Sequence, residues 1–411
     1  MNTKQGILLV GIGLLTVCAF TDIAAAKTWY VDDDGRPGID FTSIQDAINN
    51  ASVGDTILVY NGTYYENINL KDGVKVQGEG ADVTIIDGGG TDGVWASGVG
   101  PSTILDGFTI TNCGVGVSIE GGTGPRISRN TFTGNGLPHA GAIWVGWSSP
   151  VITDNIITGN VFGAPITLDH ADSTTIIHNV IVNNDAMGSA GGGIAIYRSS
   201  SVNVLANLIE DNPTFLGGGI FVSDASATIA NNVIASNSAS ERGGAMAVYD
   251  GATITLLDNT IVNNTAPVGG GIYCDDSSST SIVNNIIWGN GDDLYNCAAT
   301  YSDIEDGDPG ESNICADPMF LDPVNGDYHL QAGSPCIDAG NNTEAPSTDF
   351  DENPRPIDGD DDGIAIVDMG AFEYTPRAVV AVPVLTPLGL VALIGLLSLL
   401  TVSRIKRRGH S

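Results

Sequence analysis

The stretch DNTIVNNTAPVGGGIYC, residues 258–274, places polar turn residues on either side of short apolar runs. Asn259 and Asn264 lie five residues apart, and three consecutive Gly precede Ile-Tyr-Cys. The same Asn-x4-Asn frame occurs in seven segments: 129–135, 154–160, 178–184, 206–212, 231–237, 258–264 and 284–290. Its first Asn recurs every 24–28 residues. A regular period of this length is typical of a solenoid, in which stacked repeats share one core.

A second segment of each repeat is Gly-rich and then alternates between apolar positions and varied ones. It begins at Gly141, Gly191, Gly217, Gly243 and Gly269. Alternation with a period of two predicts a β-strand. We therefore expect two or three short strands per repeat, joined by tight turns. An earlier degenerate copy, DGFTITN at 106–112, has Gly107 in the place of the first Asn.

This pattern predicts an all-β fold, a right-handed parallel β-helix with 23–28 residues per coil. A leucine-rich repeat would need a Leu ladder, a hexapeptide helix would repeat at roughly 18 residues, and calcium-binding nonapeptide repeats need a Gly-Gly-x-Gly-x-Asp motif that this sequence lacks. In a β-helix, Asn side chains at the same turn of successive coils stack and hydrogen-bond along the axis. Gly serves corners where the backbone needs a positive φ.

The composition restricts the kinds of partner. The 411 residues include 15 Lys and Arg against 48 Asp and Glu, giving a net charge of −33. Between residues 131 and 300 there is no Lys, and the only Arg are Arg198 and Arg242. Phosphate binding needs clustered basic side chains, so we expect no nucleic-acid partner. The same acidity argues against the binding of polyanionic sugars.

Both ends of the sequence resemble export and anchoring signals. Residues 1–26 combine Lys4, an apolar run and three Ala, which predicts a signal peptide, with an uncleaved N-terminal anchor as the alternative. The tail 377–411 holds an apolar stretch long enough to span a bilayer, followed by a basic cluster. We expect an extracellular, cell-surface protein anchored in the membrane at its C-terminus. The tail is also similar to prokaryotic sorting signals, which are cleaved and replaced by another anchor.

The region between these ends divides into two parts. A β-helix is expected over 27–300 and a closing region with an acidic loop over 301–376. At 41–51, FTSIQDAINNA places apolar residues on one helical face, and Thr42 with Gln45 matches a capping box. We expect this helix to cover the exposed strand edge of the first coil as an N-terminal cap.

The sequence resembles a known group of β-helix proteins. SIQDAINNASVGDTILVYNGTYYENI (43–68) and the Asn-x4-Asn coils are similar to the pectin-lyase-like superfamily of right-handed parallel β-helices. DPMFLDPVNGDYHLQAGSPCIDAG (317–340) and VDMGAFEY (367–374) resemble the closing region of choice-of-anchor Q surface proteins. The resemblance extends over residues 28–376. It implies the fold and a surface location, but not an activity, because one fold hosts many functions.

Aligning the Gly-rich strands brings outward side chains into columns along the helix axis. Trp144, Trp147 and Tyr197 are candidates for stacking on sugar rings. Asp169 and Asp224, two coils apart, would lie roughly 10 Å from each other, near the upper limit for an inverting carboxylate pair. His170 could act as acid or base. The alternative is a solvated face on which Arg198 simply pairs with Asp224.

The closing region holds a candidate calcium loop. In DGDDDG (358–363), Asp358, Asp360 and Asp362 have a spacing that wraps oxygen ligands around calcium. Asp368 lies one residue before the twelfth loop position, so the pattern is looser than an EF-hand. The alternative is an acidic, solvated turn.

The cysteines predict disulfides, because an exported protein meets an oxidising environment. Cys274 and Cys297 are 23 residues apart, the length of one coil, and should stack as a bonded pair. Cys315 and Cys336 are the other candidates for disulfide bonding, and Cys113 is expected to be a free thiol.

These features favour a surface-anchored β-helix with a structural, adhesive or glycan-contacting role, whose partners are cell-envelope or extracellular glycans. The alternative is a carbohydrate-active enzyme, a polysaccharide hydrolase or lyase, that uses Asp169, His170 and Asp224. The sequence contains no complete motif of the pectin lyases or pectin esterases, so the enzymatic interpretation depends on fold analogy.

Overall fold

The computed structural model of the protein describes residues 25–136 and 141–376. They form an all-β solenoid of about ten coils, in which each coil contributes one strand to each of three parallel sheets. The predicted β-helix is therefore confirmed. Most of the predicted signal peptide, and the whole of the tail 377–411, lie outside the described residues. Within the described ranges, no helix is long and apolar enough to cross a membrane.

The three sheets form the faces of the solenoid. Sheet A contains β1 (Thr28–Val31), β2 (Thr56–Val59), β5 (Lys75–Gly78), β8 (Ile104–Asp106), β11 (Arg126–Ser128), β14 (Val151–Thr153), β17 (Thr175–Ile177), β20 (Val202–Leu205), β24 (Ser226–Ala230), β28 (Thr253–Leu257), β31 (Ser279–Val283) and β34 (Ala299–Thr300). Sheet B contains β3 (Gly62–Tyr64), β6 (Thr84–Asp87), β9 (Thr109–Thr111), β12 (Thr131–Thr133), β15 (Ile156–Thr158), β18 (Val180–Val182), β21 (Leu208–Glu210), β25 (Val233–Ala235), β29 (Thr260–Val262), β32 (Ile286–Trp288) and β35 (Asp303–Ile304). Sheet C contains β4 (Ile68–Asn69), β7 (Val94–Ser97), β10 (Val117–Glu120), β13 (Ile143–Gly146), β16 (Ile166–Asp169), β19 (Ile194–Tyr197), β23 (Ile220–Ser223), β27 (Met246–Tyr249), β30 (Ile272–Cys274) and β33 (Leu294–Tyr295).

Four strands lie outside these faces. A two-stranded parallel sheet of β22 (Pro213–Leu216) and β26 (Ser238–Arg242) stands between sheets B and C. A two-stranded antiparallel sheet of β36 (Phe320–Asp322) and β37 (Asp327–Leu330) belongs to the closing region.

The core is a set of stacked aliphatic columns, because every second strand residue points inward. In sheet C, Ile143, Ile166, Ile194 and Ile220 follow one another in register and are fully buried. Full burial of each such side chain contributes roughly 1.5–3 kcal/mol. The apolar positions of the alternating Gly-rich segments are therefore the inward ones.

Two Asn ladders run along the turns at the ends of the sheet B strands. At Asn259, the backbone N–H and Nδ2 both donate to Oδ1 of Asn285 in the next coil, at 2.9 Å each. Nδ2 also donates to the carbonyls of Ile229 and Leu257. Each ladder Asn is buried, and its amide satisfies backbone groups that would otherwise be unpaired. The predicted structural role of the repeated Asn is confirmed.

The ladders end on other residues. Ser302 Oγ accepts the N–H of Asn285 at 3.0 Å, and Asp293 accepts from Nδ2 of Asn290 at 2.9 Å. At the other end, the backbone N–H groups of Phe108 and Cys113 donate to Asn130 and Asn135. The prediction that Gly107 takes the first Asn position was thus wrong by one residue. Buried Phe108 occupies that position, because Thr109 pairs with Thr131.

A short helix, α1 (Ile44–Asn50), lies within the predicted segment 41–51 and contacts β1, β2 and β4. Its N-cap is Ser43, whose Oγ accepts from the N–H of Asp46, so the predicted Thr42–Gln45 capping box is wrong. Glu66 supplies the other acceptors, since its carboxylate receives the N–H groups of Ile44 and Gln45 at 2.9 and 3.0 Å. This carboxylate also suits the positive end of the helix dipole.

Part of the closing region folds back over the outward face of sheet B. Val262 packs with Tyr328, Ala371 and Phe372 in a second apolar cluster. Arg355 is fully buried beneath this segment, where it donates to Asp258 Oδ1 at 2.6 Å and to the carbonyl of Gly370 at 2.7 Å. The apolar clusters of the described closing region include no sheet C residue. On the outward face of sheet C, Trp95 and Tyr295 are exposed and Trp144 and Tyr273 are partly exposed, whereas Thr167, Ala195 and Phe221 are buried.

Candidate functional site

The outward side chains of sheet C form two columns, as expected from the sequence. In the first column, Trp95, Ser118, Trp144 and Thr167 face each other across adjacent strands. The second column contains Gly146, Asp169, Tyr197 and Ser223, which are also neighbours on adjacent strands. Five of the sheet C strands are followed directly by a non-Gly residue with a positive φ, which turns the chain away from the sheet: Trp147, His170, Arg198, Asp224 and Asp250. The register brings the predicted site residues onto one face.

Trp147 and His170 form a stacked pair at one end of this surface. Their ring centroids are 5.1 Å apart and their planes differ by 13°. Trp147 remains 60% exposed, so one face of the indole is open to a ligand. His170 Nδ1 lies 2.9 Å from Asp169 Oδ1, which fixes the orientation of the imidazole.

Asp169 is held by a bidentate ion pair. Arg198 Nε donates to Oδ1 at 2.9 Å and Nη2 donates to Oδ2 at 2.6 Å. The guanidinium lowers the pKa of Asp169 and keeps this carboxyl ionised. The expectation that Arg198 pairs with Asp224 was therefore wrong. Asp224 is exposed, and the adjacent Ser223 donates to Asp250 rather than to it.

This arrangement limits the chemistry that Asp169 can perform. An ionised carboxylate whose two oxygens accept from Arg198 is a poor proton donor. It can instead orient His170, leaving Nε2 of the imidazole for a ligand. The structure brings Asp169 and His170 into contact, but it does not place Asp224 in their hydrogen-bond network.

An aromatic ladder extends from Tyr197 to the end of sheet C. Tyr197, Phe221, Tyr249, Tyr273 and Tyr295 come from five successive strands, and neighbouring ring centroids lie 5.3–5.7 Å apart. The sequence analysis named Tyr197 alone. The signal for the other four was an aromatic residue at an outward position of three Gly-rich strands, which carry Phe221, Tyr249 and Tyr273, and of the irregular coil after Cys274, which carries Tyr295.

Arg242 flanks this ladder from β26. Its Nη1 donates to the hydroxyls of Tyr249 and Tyr273 at 3.4 and 3.3 Å, and its guanidinium lies 5.1 Å from the centre of the Tyr273 ring. The small sheet of β22 and β26 therefore stands beside sheet C and makes one edge of its surface. Arg198 and Arg242 are thus both engaged by groups of the protein itself.

The acidic loop of the closing region gathers a different set of carboxylates from the predicted one. Asp358 and Asp360 cluster with Asp338, with one oxygen from each lying within 4.8 Å of the others. Asp338 Oδ2 accepts the N–H groups of Gly359 and Asp360 at 2.9 and 2.8 Å. Asp362 lies outside this cluster and accepts the N–H of Ile364.

Asp368 is also separate from the cluster. It is fully buried, and its carboxylate accepts the N–H groups of Asp338 and Tyr374. Burial raises the pKa of Asp368 to about 8, with a further contribution from the nearby Glu373. The Asp368 carboxyl therefore belongs to the buried hydrogen bonds of the closing region and not to the exposed acidic loop.

The cysteines divide into one bonded pair and single thiols. Cys274 and Cys297 form a disulfide with a Cα–Cα distance of 5.8 Å, as the one-coil spacing predicted. Cys315 and Cys336 are free in the described structure, so their assignment to a disulfide was wrong. Cys315 is exposed, whereas Cys336 is buried with its Sγ 3.2 Å from Asp303 Oδ2. Cys113 is free and buried, and burial raises the pKa of its thiol to about 12.

Comparisons with known proteins identify the fold. The model of a family described as "Right handed beta helix region" matches residues 72–234 and 214–306. Among solved structures, pectate lyase Pel9A is similar with a TM-score of 0.54 and 14% identity, covering 86% of this chain and 98% of its own. XylC, solved with xylose, is similar with a TM-score of 0.51 and 10% identity, covering 84% of this chain and 99% of its own. No curated protein matches the sequence. Identities this low establish a shared fold and no shared activity.

Proposed function

The chain belongs to the family of right-handed β-helix proteins, and on that premise we propose that it is an exported, surface-anchored protein that contacts glycans through the outward face of sheet C. One observation carries this proposal: outward aromatic rings recur along the helix axis on sheet C, first Trp144, then the Trp147–His170 pair, then the ladder from Tyr197 to Tyr295, on a face apart from the clusters in which the described closing region packs. Aromatic rings present flat apolar surfaces, against which the C–H faces of sugars can pack.

The structural neighbours are consistent with this proposal. Pel9A is a pectate lyase by its description, and XylC was solved with xylose, so β-helices of similar shape contact saccharides. The sugar-stacking candidates from the sequence, Trp144, Trp147 and Tyr197, belong to the proposed face. We add Tyr249, Tyr273 and Tyr295 to them, whereas Phe221 is only 7% exposed and packs between Tyr197 and Tyr249.

The test is saccharide binding by the full chain. We expect the wild-type protein to bind oligosaccharides on a glycan array, and Trp147→Ala to lose about tenfold in affinity, or 1.4 kcal/mol. Phe162→Ala is the matched control, because Phe162 is also an exposed aromatic residue with a positive φ but lies outside sheet C. Equal losses for both variants, or no binding by the wild type, would exclude this function.

The second candidate is a carbohydrate-active enzyme, and the contact between Asp169 and His170 is the observation that favours it. Asp169 would orient the imidazole, and Nε2 of His170 would exchange a proton with the sugar. New reducing or unsaturated sugar ends that disappear on His170→Gln would support this candidate over binding alone. Retained turnover in Asp169→Ala and Asp224→Ala would exclude the predicted catalytic carboxylates.

The location and the anchoring are further proposals. We propose cleavage after Ala26, retention at the cell surface through 377–411, and protection of the first coil by α1. The resemblance of 317–340 and 367–374 to choice-of-anchor Q proteins supports the surface location. Mass analysis of the mature termini, together with protease accessibility on intact cells, tests each of these points.

We also propose a calcium site in the acidic loop, revised to Asp338, Asp358 and Asp360. Carboxylate oxygens are the ligands that calcium prefers, and these three come from two segments that the ion would join. Calcium should raise the melting temperature of the wild type but not that of Asp358→Asn. If both proteins respond equally, the loop is a solvated acidic turn.

A further inference from the structure

A separate groove lies on the same face, near the N-terminal end of the solenoid. It lies between β4, β7 and the loop 87–93, and its volume is about 490 Å³. Trp95 lines it and is 36% exposed. Asn69 pairs with Trp95 across the adjacent strand, so both outward side chains border the groove. No motif in the sequence analysis included these residues.

The polar groups of the groove are held in place by the protein. Asp92 accepts the N–H of Val115 at 3.2 Å through Oδ1 and the hydroxyl of Ser118 at 3.3 Å through Oδ2. Each carboxylate oxygen keeps a lone pair that can accept a ligand hydroxyl. Asn67 Nδ2 donates to the carbonyls of Gly88 and Asp92 at 3.0 and 2.8 Å, which fixes the loop beside Trp95.

This combination matches the surface of a sugar. An indole offers an apolar face for ring C–H groups, while a fixed carboxylate and amides offer partners for hydroxyls. A purely apolar ligand would leave Asp92 desolvated without compensation.

The charge of the groove selects among sugars. Asp92 is the only ionisable residue among those that line it, and no cation lines it. The nearby Lys71 is engaged, since its Nζ donates to the carbonyls of Asn49 and Ala51. A uronate carboxylate would therefore face Asp92 without a counter-charge, and like charges at this range repel.

We propose that this groove is a terminal subsite for an uncharged sugar unit of an extended glycan; the inference rests on the proposed function of sheet C. Trp95 and Trp144 belong to one outward column with Ser118 between them. Two strand spacings separate them by roughly 9.6 Å. One chain lying along the helix axis can thus contact both indoles.

The experiment measures binding of xylo- and cello-oligosaccharides of increasing length to the full-length protein by calorimetry, with polygalacturonate as the acidic probe. We expect affinity to rise with length, and Trp95→Ala to lose about tenfold for the longest chains while binding the shortest ones normally. Tyr65→Ala is the control, because Tyr65 is 77% exposed and does not line the groove. Trp95→Phe should retain most of the affinity and shows that the fold tolerates substitution.

The outcomes separate the subsite from the proposed function. If Trp147→Ala weakens binding but Trp95→Ala equals the Tyr65→Ala control at every length, the subsite is excluded and the sheet C function stands. If polygalacturonate binds as tightly as the neutral chains, the uncharged specificity is excluded. If the wild type binds no saccharide, the proposed function and the subsite both fail. Improved binding of polygalacturonate by Asp92→Asn would support the charge argument.

Discussion

Arg355 and Asp258 form a fully buried ion pair, although 97 residues separate them in the chain. The pair joins the closing region to the end of β28. Arg355 also lies 3.5 Å from Glu373, and it donates to the carbonyl of Gly370. One guanidinium therefore compensates several buried acceptors, and the attachment of the closing region to the coils should depend on it.

Replacing Arg355 should destabilise this attachment strongly. In Arg355→Met, Asp258 and Glu373 remain buried without a cation, which typically costs 3–5 kcal/mol. Denaturant unfolding should show that loss, with the closing region unfolding first. Arg126→Met is the control, because both side chains of the Arg126–Asp154 pair are 46% exposed, so its loss should cost less than about 1 kcal/mol. Equal losses in the two variants would contradict the buried role.

The same cluster predicts a pH dependence. Burial raises the pKa of Asp258 to about 7 although Arg355 opposes the shift, so this ion pair is complete only above that pH, and burial with the nearby Glu373 raises the pKa of Asp368 to about 8. In the unfolded chain both carboxyls ionise near pH 4. The folded state therefore holds protons that the unfolded state releases, and stability falls as the pH rises through these folded values.

Melting curves at about pH 6 and pH 9 test this sign. The melting temperature should be lower at the higher pH, by roughly 2–4 °C for each kcal/mol lost. Asp368→Asn, which removes the titrating group but keeps only one of the two oxygens that accept the N–H groups of Asp338 and Tyr374, should reduce the difference. His329 must be controlled with His329→Gln, because carboxylates at both ring nitrogens raise its pKa and its contribution also disappears at high pH. A higher melting temperature at pH 9 would contradict the prediction.

The repeat made the solenoid predictable from the sequence, whereas the packing of the closing region could not be predicted. Alternation and the Asn period specify strand register, because each coil copies the last one. No period connects Arg355 to Asp258, so that contact could not be read from spacing. One signal did exist: outward positions of sheet B change from Thr131 and Thr133 to Val262 and Trp288 in later coils, where a cover is needed.

For the candidate site, the sequence predicted which side chains share an outward face but not which of them contact each other. Register fixed Trp144, Trp147, Asp169 and Tyr197 on one face, but the partner of Arg198 depended on its side-chain direction. Asp169 and Asp224 each lie one coil from Arg198, and spacing alone does not distinguish them. The aromatic ladder was missed because its members are divided between the two outward columns: Tyr197 and Tyr249 belong to one, and Phe221, Tyr273 and Tyr295 belong to the other.

The Asn ladder should be a large source of stability at each rung. Asn264→Ala removes an amide that donates to the carbonyls of Ile234 and Val262, and an oxygen that accepts from Asn237. Leaving such buried groups unpaired costs roughly 1–3 kcal/mol each, so a total loss of about 3 kcal/mol is expected by denaturant unfolding. Asn203→Ala, at a partly exposed strand position, should change stability by less than about 0.5 kcal/mol. A ladder variant as stable as this control would refute the structural role of the Asn.

The disulfide should stabilise the last coils, where the ladders give way to Ser302 and Asp293. Cys274 and Cys297 close a loop of 23 residues, for which chain entropy predicts about 3 kcal/mol. The double variant Cys274→Ser with Cys297→Ser should lose that amount, and a reducing agent should lower the melting temperature of the wild type to the same value. Cys315→Ser should leave the melting temperature unchanged, because this thiol is exposed and unbonded. Peptide mapping that finds Cys274 linked to any other cysteine, or a wild type insensitive to reduction, would contradict the one-coil pairing.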